Sequence, residues 1–232
     1  MNKTKIEYAD YSSNPVTGCT KGCSYCYARR LANGRMKTLY LSNPNVAPGC
    51  DPNDPFSPRF WPERVIQPFK VKKPAKIFHV DMGDLFDSHI PDAWLGACLV
   101  LGYLAHWHTF IYLTKQIQRA AKFTFPPNAW VGITVDGYST ENWQRQARMA
   151  QLTATVRFIS YEPLLSPIPN IPTWADWIII GAMTGPGAIK PDPAWVEDLI
   201  GTADEMEIPV FLKDNLGWPV KRQEFPRRDD ER

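Results

Sequence analysis

At 232 residues, 44% hydrophobic and carrying 11 Phe, 9 Trp and 9 Tyr, the chain has material for a large core and is too apolar for a solvated tail. Its 26 Lys and Arg against 24 Asp and Glu leave a formal charge of +2, which excludes a global field that draws the protein onto polyanions; any such site is local. No apolar run approaches the ~18–20 residues of a bilayer span, and no apolar stretch follows the lysines at the start. Five Cys, three of them crowded together, fit a disulfide scaffold badly, so the expected setting is a reducing cytoplasm with no membrane partner.

In chain order, a first strand is expected within Ile6–Val16, followed by a cysteine loop at 18–27. The stretch 41–74 is the least regular, with Asn43-Pro44, Pro48-Gly49, Asp51-Pro52 and Asp54-Pro55. It reads as a long stiffened loop, either a lid or a packing strap. Six short runs then read as buried strands, because they are apolar on consecutive positions and bounded by turn residues: Lys76–Asp81, Thr109–Thr114, Ala129–Val135, Thr155–Ser160, Asp176–Gly181 and Ile208–Lys213. Helical stretches lie between most of them, at Asp92–His106, Lys115–Phe123, Ser139–Leu152 and Asp192–Met206. Ser139 or Thr140 stands where one N-cap belongs and Asp192 where another does.

This alternation predicts an α/β fold with right-handed crossovers: a partial (β/α) TIM-like barrel of six or seven parallel strands, forming a single domain over 1–220. The charge-mixed segment 221–232 reads as a frayed tail. Nothing in the pattern fixes an oligomeric state.

Within the cysteine loop, Cys19, Cys23 and Cys26 are spaced C-x3-C-x2-C, with Tyr25 directly before the last. Three thiolates this close need a cation, and soft sulfur ligands select zinc, Cu(I) or an iron–sulfur cluster. A closed zinc site wants four ligands, but Cys50 and Cys98 are isolated and the four His make no standard pair. Three ligands leave one metal position open for chemistry.

In such folds the groups at the C-terminal ends of strands surround the site. Reading each run outward gives Asp81, Gly83 and Asp84; Thr114 and Lys115; Thr134 and Asp136; Ser160 and Glu162; Gly181 and Thr184; Lys213 and Asp214. Any one of these is more often a helix cap or a solvated loop residue, but repetition at nearly every strand end is harder to dismiss. Glu162, on an otherwise apolar strand, must meet Lys115 or Lys213 or touch a ligand, since burying it unpaired is costly. Cys98 reads as a core residue, Cys50 as a loop thiol without an activating base, and His79 as a core histidine. Arg29, Arg30, Arg35 and Lys37 fit a phosphate contact and a solvated helix face equally well.

The cysteine spacing with its aromatic residue resembles the signature of the radical S-adenosylmethionine (SAM) superfamily. The chain as a whole is similar to a narrower family of radical-SAM-like phage and bacterial proteins of unknown function. That similarity runs from Asn14–Lys21 through Asp84–Phe86, Leu113–Lys115, Val156–Leu165 and Gly185–Ala188 to Phe211–Lys213.

The resemblance implies that Cys19, Cys23 and Cys26 ligate a [4Fe–4S] cluster whose fourth iron holds SAM, with Tyr25 beside the adenine. Gly83 and Asp84 then stand where the SAM ammonium is held, and Thr134 and Asp136 where ribose hydroxyls are bound. Ser160 and Gly181 join the cofactor-binding set, and Lys115, Glu162 and Lys213 are the catalytic candidates. The implied reaction is reductive cleavage of SAM to a 5′-deoxyadenosyl radical that abstracts hydrogen, fed by a flavodoxin- or ferredoxin-like one-electron donor. Similarity of the barrel to DNA-photoproduct-repairing radical SAM enzymes favours a nucleobase in DNA or RNA as substrate. Where relatives carry Gly-Gly-Glu-Ser-Gly, this chain has Gly181-Ala182-Met183-Thr184-Gly185 and lacks the carboxylate. The competing reading is a non-catalytic iron–sulfur or zinc-stabilised binding protein.

Overall fold

A computed structural model of the chain describes residues 1–137 and 139–226. It is a mixed α/β fold in which the strand pairing is mostly parallel. The chain divides into two compact units, residues 1–130 with 153–155, and residues 131–152 with 156 onward.

In the first unit the elements run β1 (Asn2–Lys3), β2 (Tyr11–Ser13), β3 (Val16–Thr17), α1 (Tyr27–Asn33), α2 (Lys37–Leu41), β4 (Arg59–Phe60), α3 (Pro62–Val65), β5 (Lys76–His79), α4 (Asp92–Leu104), β6 (Thr109–Thr114) and α5 (Ile117–Ala120). The first two residues of β7 (Ala129–Thr134) also belong to it. Its main sheet runs β1-β2-β5-β6. The ladders of β2 with β5 and of β5 with β6 are parallel, and β1 adds an antiparallel edge that the sequence pattern did not predict.

The expected first strand is present as β2, only three residues long. The next run stops at His79, two residues short of the expected Asp81. Val80 has φ 68°, which ends the extended strand there, while its N–H is still held by the Ser13 carbonyl of β2 at 2.8 Å. A β-branched residue at positive φ is disfavoured by its own side chain, and the surrounding contacts hold it there.

The irregular stretch is more ordered than expected, since β4, α3 and a 3-10 turn at Gln67–Lys70 fall within it. Its organiser is Arg59, 1% exposed, whose guanidinium donates to the carbonyls of Asn43 (2.7 Å), Pro52 (2.6 Å) and Asp54 (3.1 Å).

The second unit contains the rest of β7, α6 (Thr140–Met149), β8 (Val156–Tyr161), β9 (Trp177–Ile180), α7 (Pro193–Glu205) and β10 (Val210–Leu212). Here β7 neighbours β8, and β8, β9 and β10 form parallel ladders. Both expected caps are made: Ser139 Oγ accepts the Asn142 N–H at 3.1 Å, and Asp192 Oδ1 accepts that of Ala194 at 2.9 Å with Pro193 in the first turn. The core centres on the fully buried Trp177, whose ring lies 5.3 Å from Phe158, 6.1 Å from Phe211 and 5.7 Å from Phe225.

The start of the expected frayed tail is in fact held. Leu212 N–H donates to Arg222 O at 2.7 Å, Glu224 N–H to Val210 O at 3.1 Å, and Trp177 Nε1–H to Glu224 O at 2.9 Å. The remainder, 227–232, lies outside the described residues.

Candidate functional site

The candidate residues fall into two groups, one in each unit. In the first, the cysteine loop is fixed at its base by two glycines. Gly18 and Gly83 form a bridge, and Gly18 N–H donates to Met82 O at 2.8 Å. A Cβ on Gly83 would lie 2.4 Å from Gly18 O, and one on Gly18 would lie 2.5 Å from the carbonyl oxygens of Phe56 and Ser57. Only glycine admits this backbone-to-backbone approach.

All five cysteines are free thiols, and those at 19, 23 and 26 are half-buried. Cys26 is the N-cap of α1: its Sγ accepts the Arg29 N–H at 3.4 Å, while Cys19 Sγ accepts that of Lys21 at 3.3 Å. Both Cys19 and Cys26 pack against one apolar cluster of Ala28, Ala32, Tyr40, Phe56, Trp61 and Met82. Burial first, then the charge of Asp84, push the Cys19 thiol above its ordinary range, so a thiolate there requires a cation.

Arg29 and Arg30 turn back onto the loop. Arg29 Nη2 donates to Cys19 O at 3.1 Å and Nη1 meets Asp54 Oδ2 at 3.3 Å, while Arg30 Nη1 donates to Tyr25 O at 3.2 Å. They brace the cysteines from behind.

Tyr25 and Lys115 are brought together. The Lys115 ammonium donates to the Tyr25 hydroxyl and lies 4.7 Å from the centre of its ring. Asp84 is buried and its carboxylate serves three donors: Thr114 Oγ1 at 2.7 Å, the Lys115 N–H at 2.9 Å and the Phe86 N–H at 3.0 Å. Burial raises its pKa while these bonds oppose the shift. The same contacts shorten the helix expected at Lys115–Phe123. Lys115 N–H goes to Asp84 and Gln116 N–H to Thr114 Oγ1, so α5 begins only at Ile117.

The pattern reading missed Asp87, which is fully buried. Its Oδ2 accepts both the N–H and the hydroxyl of Thr20 at 2.7 Å, and its Oδ1 accepts the His89 N–H at 3.0 Å. Burial alone would raise this carboxyl, but the bonds from His89 and Thr20 outweigh it and the pKa falls. Asp87 thus ties the cysteine loop to the turn after β5. Its signal in the sequence was only its spacing of three residues from Asp84.

In the second unit, Glu162 pairs with Lys213, Oε1 to Nζ at 2.5 Å, with side chains 21% and 15% exposed. This settles its partner between the two lysines. Ser160, fully buried, directs its hydroxyl to Glu162 Oε2 at 3.4 Å. Gly181 lies under the pair: a Cβ there would come within 3.0 Å of Glu162 Cγ and 3.1 Å of Lys213 Cδ. Thr134 is buried at the end of β7, its carbonyl receiving Arg145 Nη1 at 3.2 Å. Asp136 Oδ1 accepts Asn142 Nδ2 at 2.8 Å.

Among the described residues, no group of three or more His, Cys, Asp or Glu side chains is arranged to hold a metal ion. The donor chemistry nonetheless fits a soft metal group: three free thiols stand on one short loop, and two of them already accept backbone N–H bonds. No helix among the described residues is long and apolar enough to cross a membrane.

Among solved structures, the chain resembles a spore photoproduct lyase complexed with dinucleoside spore photoproduct, with a TM-score of 0.48 and 11% identity. The match covers 88% of this chain and 53% of that one, so the chain spans about half its length. No curated protein matches. A family model does match, over residues 3–231, and the chain belongs to the family described as "Protein of unknown function (DUF5131)".

Proposed function

We propose that the protein is a radical SAM-type enzyme in which Cys19, Cys23 and Cys26 hold a [4Fe–4S] cluster. The observation that carries this reading is the cysteine loop itself. Three free, partly accessible thiols share one loop, glycine backbone contacts fix its base, and Lys21 and Arg29 N–H groups point at two of the sulfurs. Such N–H···S bonds stabilise negative charge on ligand sulfur. Held by Cys19, Cys23 and Cys26, such a cluster would supply, with SAM, one-electron reductive chemistry for hydrogen abstraction.

The chain's own residues bind, orient and exclude water. Tyr25 offers a ring beside the last cysteine, and its orientation is set by Lys115. Gly83 and Asp84 bring the turn after β5 against the loop; Asp84, bonded to Thr114, Lys115 and Phe86, holds that turn rigid. In the second unit, Glu162 and Lys213 form a largely buried pair able to hold a proton at Glu162 Oε or donate one from Lys213 Nζ. Ser160 and Gly181 frame that pair, and Thr134 and Asp136 follow on the neighbouring strand end. The substrate class proposed with this reading, on the strength of the sequence resemblance, is a nucleobase in DNA or RNA. A flavodoxin- or ferredoxin-like donor and a cytoplasmic setting belong to the same proposal.

The test is anaerobic reconstitution with iron and sulfide, followed by metal analysis and a 5′-deoxyadenosine assay with SAM and dithionite. About four irons per chain and nucleoside product are expected, both lost in Cys23→Ala. One zinc per chain and no nucleoside would replace this reading with a metal-stapled binding protein.

A further inference from the structure

Six of the 13 lysines, Lys3, Lys5, Lys70, Lys72, Lys73 and Lys76, fall in two short segments, and the segment 66–76 contains no acidic residue. The first unit brings these segments to one edge of its sheet. Lys3 on β1 is the register partner of Tyr11, where β2 begins. Tyr11 pairs in turn with Ile77, and Lys76 at the start of β5 pairs with Thr109 at the start of β6. The loop carrying Lys70, Lys72 and Lys73 leads into β5 at that same edge and is tied down by Trp107, whose Nε1–H donates to Val71 O at 3.1 Å. The cysteine loop and Asp84 follow the opposite ends of β2 and β5, so this edge is separate from the site described above.

Lys3, Lys5, Lys70, Lys72 and Lys73 are exposed, and none of them takes part in an ion pair among the described residues. The nearest acids on these segments are Glu7 and Asp10, and Asp10 Oδ2 is already taken by the Lys76 N–H at 2.7 Å. Over residues 1–10 and 66–76 the six lysines thus outnumber the two acids, on a protein whose net charge is only +2. Behind the lysines is a run of rings: Trp107 lies 5.9 Å from Phe69, 5.5 Å from His106 and 5.2 Å from His108, with His106 exposed.

We propose that this edge binds the sugar–phosphate backbone of a single-stranded nucleic acid, with the five exposed lysines on the phosphates and the ring group around Trp107 beside the bases. Lysines spaced along loops neutralise successive phosphates, and interleaved rings accept base faces, which together favour a single strand over a lipid surface. The exposed apolar side chains nearby are Ile66, which stands singly, and Val100, Tyr103 and Leu104 on α4, a helix without the lysines or arginines that an interfacial anchor on anionic lipid carries on its polar face.

The test is fluorescence anisotropy of a labelled oligothymidylate with the full chain across a salt series. Wild type is expected to bind at low salt, with affinity falling steeply as salt rises. Lys70→Gln/Lys72→Gln/Lys73→Gln should lose about tenfold or more. Its slope of log K against log salt should be shallower by about 2, three contacts at ~0.7 each. The corresponding triple Lys→Arg variant should keep wild-type binding, and so should Lys122→Gln, at an exposed lysine after α5.

No binding by wild type, an unchanged triple Gln variant, or equal loss in the Lys122→Gln control would overturn the assignment. Binding to phosphatidylserine vesicles without binding to the oligonucleotide would do the same. The assay needs neither cluster nor SAM, so its failure leaves the reading of the cysteine loop standing, and the reverse holds for the iron and nucleoside measurements.

Discussion

Glu162 and Lys213 illustrate how a single pair sets local energetics. Each side chain is about four-fifths buried and each charge faces the other across the space left by Gly181. Removing one partner strands the other in a poorly solvated place, whereas removing both does not. Lys213→Met is expected to destabilise the protein by about 2–3 kcal/mol, and Glu162→Gln/Lys213→Met by clearly less than the sum of the two single changes. Urea unfolding of the four proteins in the cycle measures this. Strict additivity would show that the two charges are independently solvated.

At the scale of elements, the joint between the cysteine loop and the turn after β5 rests on bare backbone. Gly83→Ala places a methyl 2.4 Å from Gly18 O, a contact that only main-chain movement relieves. An expected loss of about 2 kcal/mol or more, with impaired iron uptake on reconstitution, follows from that overlap. Gly22→Ala, in the same loop but with nothing within 4 Å of the new methyl, should stay within about 0.5 kcal/mol of wild type. Thermal melts and iron analysis of the two variants separate a packing joint from a generally flexible loop.

The strands after residue 70 were legible because buried parallel strands write themselves as short apolar runs, and the caps at Ser139 and Asp192 because their chemistry is local. The partner of Glu162 was half legible, since both Lys115 and Lys213 end strands. What stayed hidden depends on distant backbone. Nothing near Val80 announces a left-handed turn, nothing near Arg59 names the three carbonyls it gathers, and Asp87 gains meaning only when Thr20 arrives from 67 residues away.

For the whole molecule, acid sensitivity follows from one buried ring. His79 is 1% exposed between Phe110 and Tyr112, neither ring nitrogen has a partner among the described residues, and burial pushes its pKa down to about 3. Unfolded, the imidazole binds a proton near pH 6.5, so between about 6.5 and 3 the unfolded chain carries more protons than the native one. Stability is therefore full above pH 6.5 and declines as the pH falls through that window, by as much as ~4 kcal/mol at its lower end. His79→Phe should flatten the slope of unfolding free energy against pH below neutrality, and an unchanged slope would assign the acid response to the carboxylates instead.

Arg59 has a consequence for how the proline-rich stretch can change shape. One guanidinium clasps carbonyls contributed by residues 43, 52 and 54, so the segment resembles an arch closed by a keystone. No single span of it loosens alone; releasing any part leaves the same cation short of acceptors in a dry place. Of the two readings the sequence leaves open for this stretch, a lid or a packing strap, the clasp favours the strap: a wall beside the cysteines that yields only when the whole arch comes down at once.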